Sequence, residues 1–377
     1  ERDLLALAGR FEEQIYPTNR AIFGDEWSPG VDADPHLIFL FVNQIGAGIS
    51  AYQNSQDEYS RSLYPTSNEM EIIYIDAEGD WEDDDCMLAH EFQHTIQWAV
   101  DPDEETWMNE GFSVLACQLN GLFPGGVETT LNYLAPQVDI QLNAWSGQAE
   151  QVLADFSASY LFLAYFVDRF GEDAIRSLAA EQKNGLYSVD QILKTLNSGP
   201  TADNVFADWV VANFLNDPRL KAGQYGYSVS FNSPFKAEIN LNSSDPPCEH
   251  QADVAQYGAD YIALTGEGDY QMEFAGSTQV GLAPVSANSG KYAWWSGRGT
   301  NSDTTLTREF DLTSLEKATL SFFTWYDIEQ DHDYAFVEIS PDGQEWTTLP
   351  AQNTSNSDPN GFNYGHGFTG ASNGWTQ

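Results

Sequence analysis

The chain has 377 residues, 42% of them apolar and 14% aromatic, enough to bury a large core and too apolar to stay unfolded. Fifteen basic residues against 57 acidic ones leave a net charge of −42, which repels nucleic-acid phosphates and anionic lipid headgroups and suits divalent cations or a saline medium. The longest purely apolar stretch, 160–167, is too short to cross a bilayer, so neither a nucleic-acid partner nor a membrane span is expected.

Apolar residues scattered over 8–23 and closed by Gly24 predict a helix. The solid apolar run 37–42 predicts a buried strand, and 71–75 a second. A helix over 83–100 starts within the acids Glu82 to Asp85, which suit the positive end of its dipole, and stops before Asp101-Pro102. Further helices are predicted over 106–119, 156–170, 173–182, 189–196 and 203–216. The texture changes near Asp217-Pro218. Beyond Tyr225 short alternating runs at 227–231, 259–264, 270–274, 320–326 and 334–339 predict a β-sandwich or jelly roll, with 242–250 as a loop or linker. The fold class expected is α+β. The pattern breaks off at 374–377, so the expected sandwich is truncated, and any signal or pro-segment is expected before Glu1.

The strongest chemical signal is His90-Glu91-Phe92-Gln93-His94. Histidines at i and i+4 share one helical face, so both imidazoles can reach one metal ion, and the carboxylate of Glu91 beside them can take a proton from water. Leu88, Phe92, Ile96 and Val100 form a separate apolar stripe that anchors the helix. A zinc ion needs a third protein ligand. Gln97 and Val100 stand where a metzincin would need glycine and histidine. Glu110, sixteen residues after His94 on the next predicted helix, is the preferred ligand; Glu104 and Glu105 are competitors in the intervening turn.

The pair His-Glu-Phe-Gln-His and Trp107-Met108-Asn109-Glu110-Gly111-Phe112-Ser113 resembles the gluzincin metallopeptidases, above all the hyicolysin-type bacterial branch, a thermolysin-like relative with Asn-Glu-x-x-Ser around the third ligand. Residues 68–76, 158–171 and 206–209 are also similar, and the resemblance covers about 1–216. It implies a small sheet, an active-site helix and a helical lobe, with a metal ion on His90, His94 and Glu110 and Glu91 as catalytic base. It also implies that 71–75 is the sheet edge that pairs with substrate, although an interior strand fits that run equally well. Two positions depart from the relatives. Val114 stands where they carry an aspartate that orients a zinc-bound histidine, and Phe156 where they carry an oxyanion-stabilising tyrosine. Ser157 or Tyr160 are the possible substitutes.

Residues 292–296, 305–312 and 322–339 resemble the MAM-like jelly roll of immune inhibitor A-type secreted metallopeptidases, over about 286–377. This implies an extracellular accessory module for a glycan or surface ligand. Trp294 and Trp295 read either as sandwich core or as a carbohydrate-stacking pair. The domains expected are therefore 1–226, a zinc metallopeptidase catalytic domain; 227–285, a small β-rich or linker domain; and 286–377, the MAM-like sandwich.

The cysteine count of three leaves at least one unpaired. If the two ligand helices run antiparallel with Glu110 level with residue 92, helical rise places Cys117 beside Cys86; a disulfide and two buried thiols are both open. Calcium is considered at Asp32 and Asp34, and at Asp327, Glu329, Asp331 and Asp333, with solvated acids as the alternative. The function expected is a secreted zinc-dependent endopeptidase acting on protein or peptide substrates. Its competitors are an extracellular adhesion protein with a relic zinc site and a zinc exopeptidase.

Overall fold

The computed structural model describes residues 2–377 except 47, 80–84, 124, 138, 146–150, 230, 243, 245–248, 270, 298, 300 and 301. The predicted acids 82–84, Cys248, much of the 242–250 linker and the start of the 270–274 run therefore lie outside the described residues. Two compact units emerge, one of residues 1–272 with 298–303 and the other of 273–297 with 304–377.

The first unit opens with helix α1 (Arg2–Arg10), a wider π turn (Phe11–Ile15) and α2 (Tyr16–Phe23), so helix begins earlier than the 8–23 pattern suggested. Three strands follow, β1 (Ile38–Val42), β2 (Ala51–Gln53) and β3 (Ile72–Asp76), in the order β1-β3-β2. β3 pairs in parallel with β1, Ile38 opposite Ile72, and antiparallel with β2, where Tyr52 faces Tyr74 and the rings stack at 4.5 Å. Ile72 to Ile75 are buried on both faces, as a central strand requires. The 71–75 run is thus interior, and the edge on that side is β2. β1, read as a buried strand, is the other edge and only half-buried, with Leu40 exposed.

The helical part contains α3 (Asp85–Val100), α4 (Thr106–Leu119), α5 (Gly126–Leu134), α6 (Val152–Phe170), α7 (Glu172–Ala179), α8 (Leu186–Thr195) and α9 (Ala202–Leu215). α5 escaped the sequence reading, since its short segment carries a weak pattern. α3 is fixed at its start by Arg10, whose Nε donates to both carboxylate oxygens of Asp85 at 2.8 and 2.7 Å. Asn19 Nδ2 donates to the Ala89 carbonyl at 2.8 Å, which ties α2 to the middle of α3. α4 packs between α3 and α6 and can do so closely because of Gly111. A Cβ there would lie 2.9 Å from Leu163 Cδ1 and 3.1 Å from the Ser159 carbonyl oxygen. Cys86 of α3 and Cys117 of α4 form a disulfide, which resolves the open alternative.

Residues 227–272 lie in the first unit. Tyr227 is not in a strand; it is buried, its hydroxyl accepting from Trp209 Nε1 at 3.0 Å and donating to Asn213 Oδ1 at 2.5 Å, so the polar partners offered by α9 decide its conformation. Here β4 (Ile239–Asn242) and β5 (Ile262–Thr265) pair in parallel. The second unit is of β type: β6 (Glu338–Ile339) pairs antiparallel with β7 (Thr347–Thr348), and isolated antiparallel bridges join Thr324 with Thr376 and Ala335 with Phe368. Trp294 and Trp295 are exposed, not core, because no strand forms around them among the described residues.

The disulfide closes a separation of 31 residues, for which loss of unfolded-chain entropy gives about 3–4 kcal/mol. Replacing both cysteines, Cys86→Ala with Cys117→Ala, should lower Tm by roughly 10 °C in thermal unfolding. Thiol titration of the denatured wild type should find one thiol, from Cys248. Three thiols, or an unchanged Tm, would refute the bond.

Candidate metal centre

α3 is a core helix. From Met87 to Gln97 every residue is buried except His90 and His94, so the only partly open strip in that stretch is the one that carries the imidazoles. The i, i+4 spacing sets the rings edge to face at 4.8 Å between centroids and brings their Nε2 atoms to 3.1 Å. α4 supplies Glu110 from across the interface, with Oε2 3.4 Å from His90 Nε2 and 3.5 Å from His94 Nε2. The three side chains are 16–22% exposed, so one side of the site is open. The competing acids point elsewhere: Glu104 Oε1 accepts backbone N–H groups, and Glu105 Oε2 accepts from Trp107 Nε1 at 2.6 Å.

These atoms fit a metal ion. At bond lengths of about 2.0–2.2 Å, tetrahedral coordination separates donor atoms by about 3.3–3.6 Å, close to the observed triangle of 3.1, 3.4 and 3.5 Å. Two imidazoles and one carboxylate also match a catalytic donor set with a fourth position left open. His90, His94 and Glu110 are the one group of three such residues that meet around a point among the described residues. Without an ion the cluster needs a proton. Burial alone would depress His94, but the charge and hydrogen bond of Glu110, the charge of Glu91 and the Asn109 contact hold it up at about 9. Burial would raise Glu110, yet the two imidazoles hold it well below the usual carboxylate range.

The acceptor that Val114 lacks is found one residue before Glu110. His94 Nδ1 donates to Asn109 Oδ1 at 2.9 Å, which leaves Nε2 for the ion, and Ser113 Oγ lies 3.2 Å from the same Nδ1. Ser113 is itself held by Gln93, to whose Oε1 its hydroxyl donates at 2.5 Å. Both residues stand in the Asn-Glu-x-x-Ser motif, one turn apart on α4, and it is the packing of α4 against α3 that turns them toward the same histidine.

Glu91 is buried and its Oε2 accepts the backbone N–H of Gln53 at 2.9 Å, so the edge strand β2 fixes the carboxylate beside the histidines. Sequence reasoning missed β2, a three-residue strand in a polar stretch. Phe156 does lie at the site, 6.2 Å from the His90 ring and packed edge-on against Trp145. The suggested hydroxyl substitutes are spent elsewhere. Ser157 donates to the Leu153 carbonyl at 2.5 Å, and Tyr160 is buried and donates to Gln118.

None of the calcium candidates belongs to a converging group of three ligands among the described residues. Asp32 Oδ1 accepts the Asp34 amide at 2.8 Å and Asp34 Oδ1 the His36 amide at 3.1 Å, while Asp327, Glu329 and Asp333 are exposed.

Residues 276–377 match the family model of the immune inhibitor A-like MAM domain, and this stretch falls within the second unit but for 298–303. No curated protein matches the chain.

Losing the acceptor on His94 should weaken metal binding about 10- to 100-fold. Asn109→Ala should show this in competition with a chromophoric chelator, whereas Asn109→Asp keeps the oxygen and should bind at least as tightly as wild type. Equal affinity for all three proteins would remove Asn109 from the site.

Proposed function

We propose that the chain is a secreted zinc-dependent endopeptidase of gluzincin type, acting on protein or peptide substrates and carrying a MAM-like jelly-roll module. The observation that carries this reading is the convergence of His90, His94 and Glu110 with the fixed carboxylate of Glu91 beside them. A disulfide between Cys86 and Cys117 suits an oxidising compartment, and the MAM-domain match of the C-terminal region supports the accessory module. A glycan or surface ligand for that module rests on the exposed Trp294 and Trp295.

His90, His94 and Glu110 would hold the zinc ion, which when bound supplies Lewis acidity toward a peptide carbonyl and toward water. Glu91 takes the proton of the attacking water and hands it to the departing amine. To do so it exchanges or shares its hydrogen bond with the Gln53 amide. Asn109 and Ser113 keep His94 in one tautomer throughout. β2 is the edge strand beside Glu91, and its outer side is where an extended peptide would add to the sheet.

A second reading is favoured by Phe156 and by the engaged hydroxyls of Ser157 and Tyr160: an extracellular binding or adhesion protein with a relic zinc site. One donor to the oxyanion is worth about 10²–10³ in rate, enough to silence the centre. Casein clearance by zinc-loaded protein separates the two. Glu91→Gln should lose at least about 10²–10⁴-fold in rate with its zinc content unchanged. Equal clearance by wild type and variant, or by neither, contradicts the endopeptidase reading.

A further inference from the structure

Beyond His94 the open strip of α3 continues for one more turn. Residues 95–97 are buried, but Trp98, at i+4 from His94, is again partly open. Trp98 lines a cleft of about 470 Å³ together with Asp25, Glu26, Trp27, Tyr59 and Pro102, a size within the usual range for ligand sites. Three rings form a continuous aromatic surface there. Trp98 lies 5.7 Å from Trp27, tilted by 31°, and 5.4 Å from Tyr59, edge to face. The Trp98 indole N–H is buried and has no acceptor among the described residues, so no hydrogen bond fixes that ring. The cleft is also negative. Glu26 is only 9% exposed; its Oε1 accepts from the Tyr16 hydroxyl at 2.7 Å, and its Oε2, without a hydrogen bond, lies 3.3 Å from Arg20 Nε. Arg20 is paired with Asp25 as well, at 2.6 Å, so two carboxylates draw on the same guanidinium and one of their charges is left over. The carboxyl end of α3 adds the negative pole of its dipole.

We propose that this cleft binds the arginine side chain of a peptide. A planar guanidinium stacks on an aromatic face while its fork of N–H donors meets a carboxylate; a lysine ammonium offers only a point charge. The position of the cleft supplies the peptide. Trp98 stands one turn, about 6 Å along α3, beyond His94. Tyr59 follows the edge strand β2 by six residues, and it is the Gln53 amide of that strand that holds Glu91. An extended chain rises about 3.3 Å per residue, so a peptide laid along β2 reaches the cleft within about three residues of the metal centre. Use of the cleft as a substrate subsite, with arginine close to the cut, rests on the endopeptidase reading; capture of an arginine side chain does not.

The test uses the full chain, zinc-loaded and carrying Glu91→Gln so that no peptide is turned over. Isothermal titration measures Kd for blocked alanine pentapeptides whose central residue is arginine, lysine or citrulline. Arginine should bind about 5- to 30-fold more tightly than citrulline, its uncharged isostere, with lysine between them. Trp27→Ala, at an exposed ring, and Glu26→Gln should each bring the arginine-to-citrulline ratio toward unity with zinc content unchanged. Trp294→Ala with Trp295→Ala should keep the ratio. No binding of the arginine peptide, equal binding of arginine and citrulline, or tighter binding of lysine than of arginine overturns the proposal. So does a ratio that survives both cleft variants or is lost in the Trp294/Trp295 variant. Casein digestion by the zinc-loaded chain with Glu91 intact separates the cleft from the peptidase reading. Its cuts should carry arginine at one fixed position within about three residues of the broken bond. Cuts without that bias overturn the subsite and leave the peptidase standing; arginine binding without any cuts keeps the cleft and contradicts the peptidase.

Discussion

Two imidazoles one helical turn apart and a carboxylate from the next helix can share an ion only if the helices hold their register to a fraction of an ångström. Most of what is unusual about the first unit serves that constraint. Gly111 lets α4 close onto α6 directly beside Glu110. The Cys86–Cys117 bridge pins the start of α3 to the end of α4, and Asn109 and Ser113 stop the His94 ring from turning. Each of these contacts is made between α3, α4 and α6, so the centre is built on helices packed in the core and not on loops.

The polar interior of α3 follows from the same arrangement. A helix buried on nearly every side would ordinarily be apolar, yet Gln93, Thr95 and Gln97 are all hidden. Gln93 and Gln97 are paired with each other, and Gln93 is paired with Ser113, so the network carries its own hydrogen bonds and costs little to bury. Glu91 is the member that faces the sheet. Its bond to the Gln53 amide places a carboxylate where it would otherwise be free to rotate, and it makes the edge strand part of the site.

Much of this was legible in the sequence because the decisive residues lie close together along the chain. The i, i+4 histidines, the sixteen-residue step to Glu110 and the nearness of Cys86 to Cys117 are all consequences of helical geometry. What stayed hidden depended on contacts across the fold. β2 has three residues and no apolar pattern, and its meaning comes from the Glu91 carboxylate 38 residues away. The 71–75 run reads the same as edge or interior until its neighbours are known, and β1 is half-exposed despite its apolar sequence because the sheet ends there. Tyr227 follows an alternating pattern yet is drawn out of any strand by Asn213 and Trp209. Asn109 and Ser113 were in plain view within a motif, but their job emerges only when α4 is laid against His94.

The second unit adds a MAM-domain match over 276–377 to a chain of net charge −42. The weight of the functional reading nevertheless rests on the His90, His94 and Glu110 group in the first unit. X-ray absorption at the zinc edge, on zinc-loaded protein crystallised for anomalous diffraction, addresses it most directly. The account expects one strong peak within bonding distance, about 2.0–2.2 Å, of His90 Nε2, His94 Nε2 and a Glu110 oxygen, with two nitrogens in the zinc shell. A peak elsewhere, or none among these side chains, would contradict it.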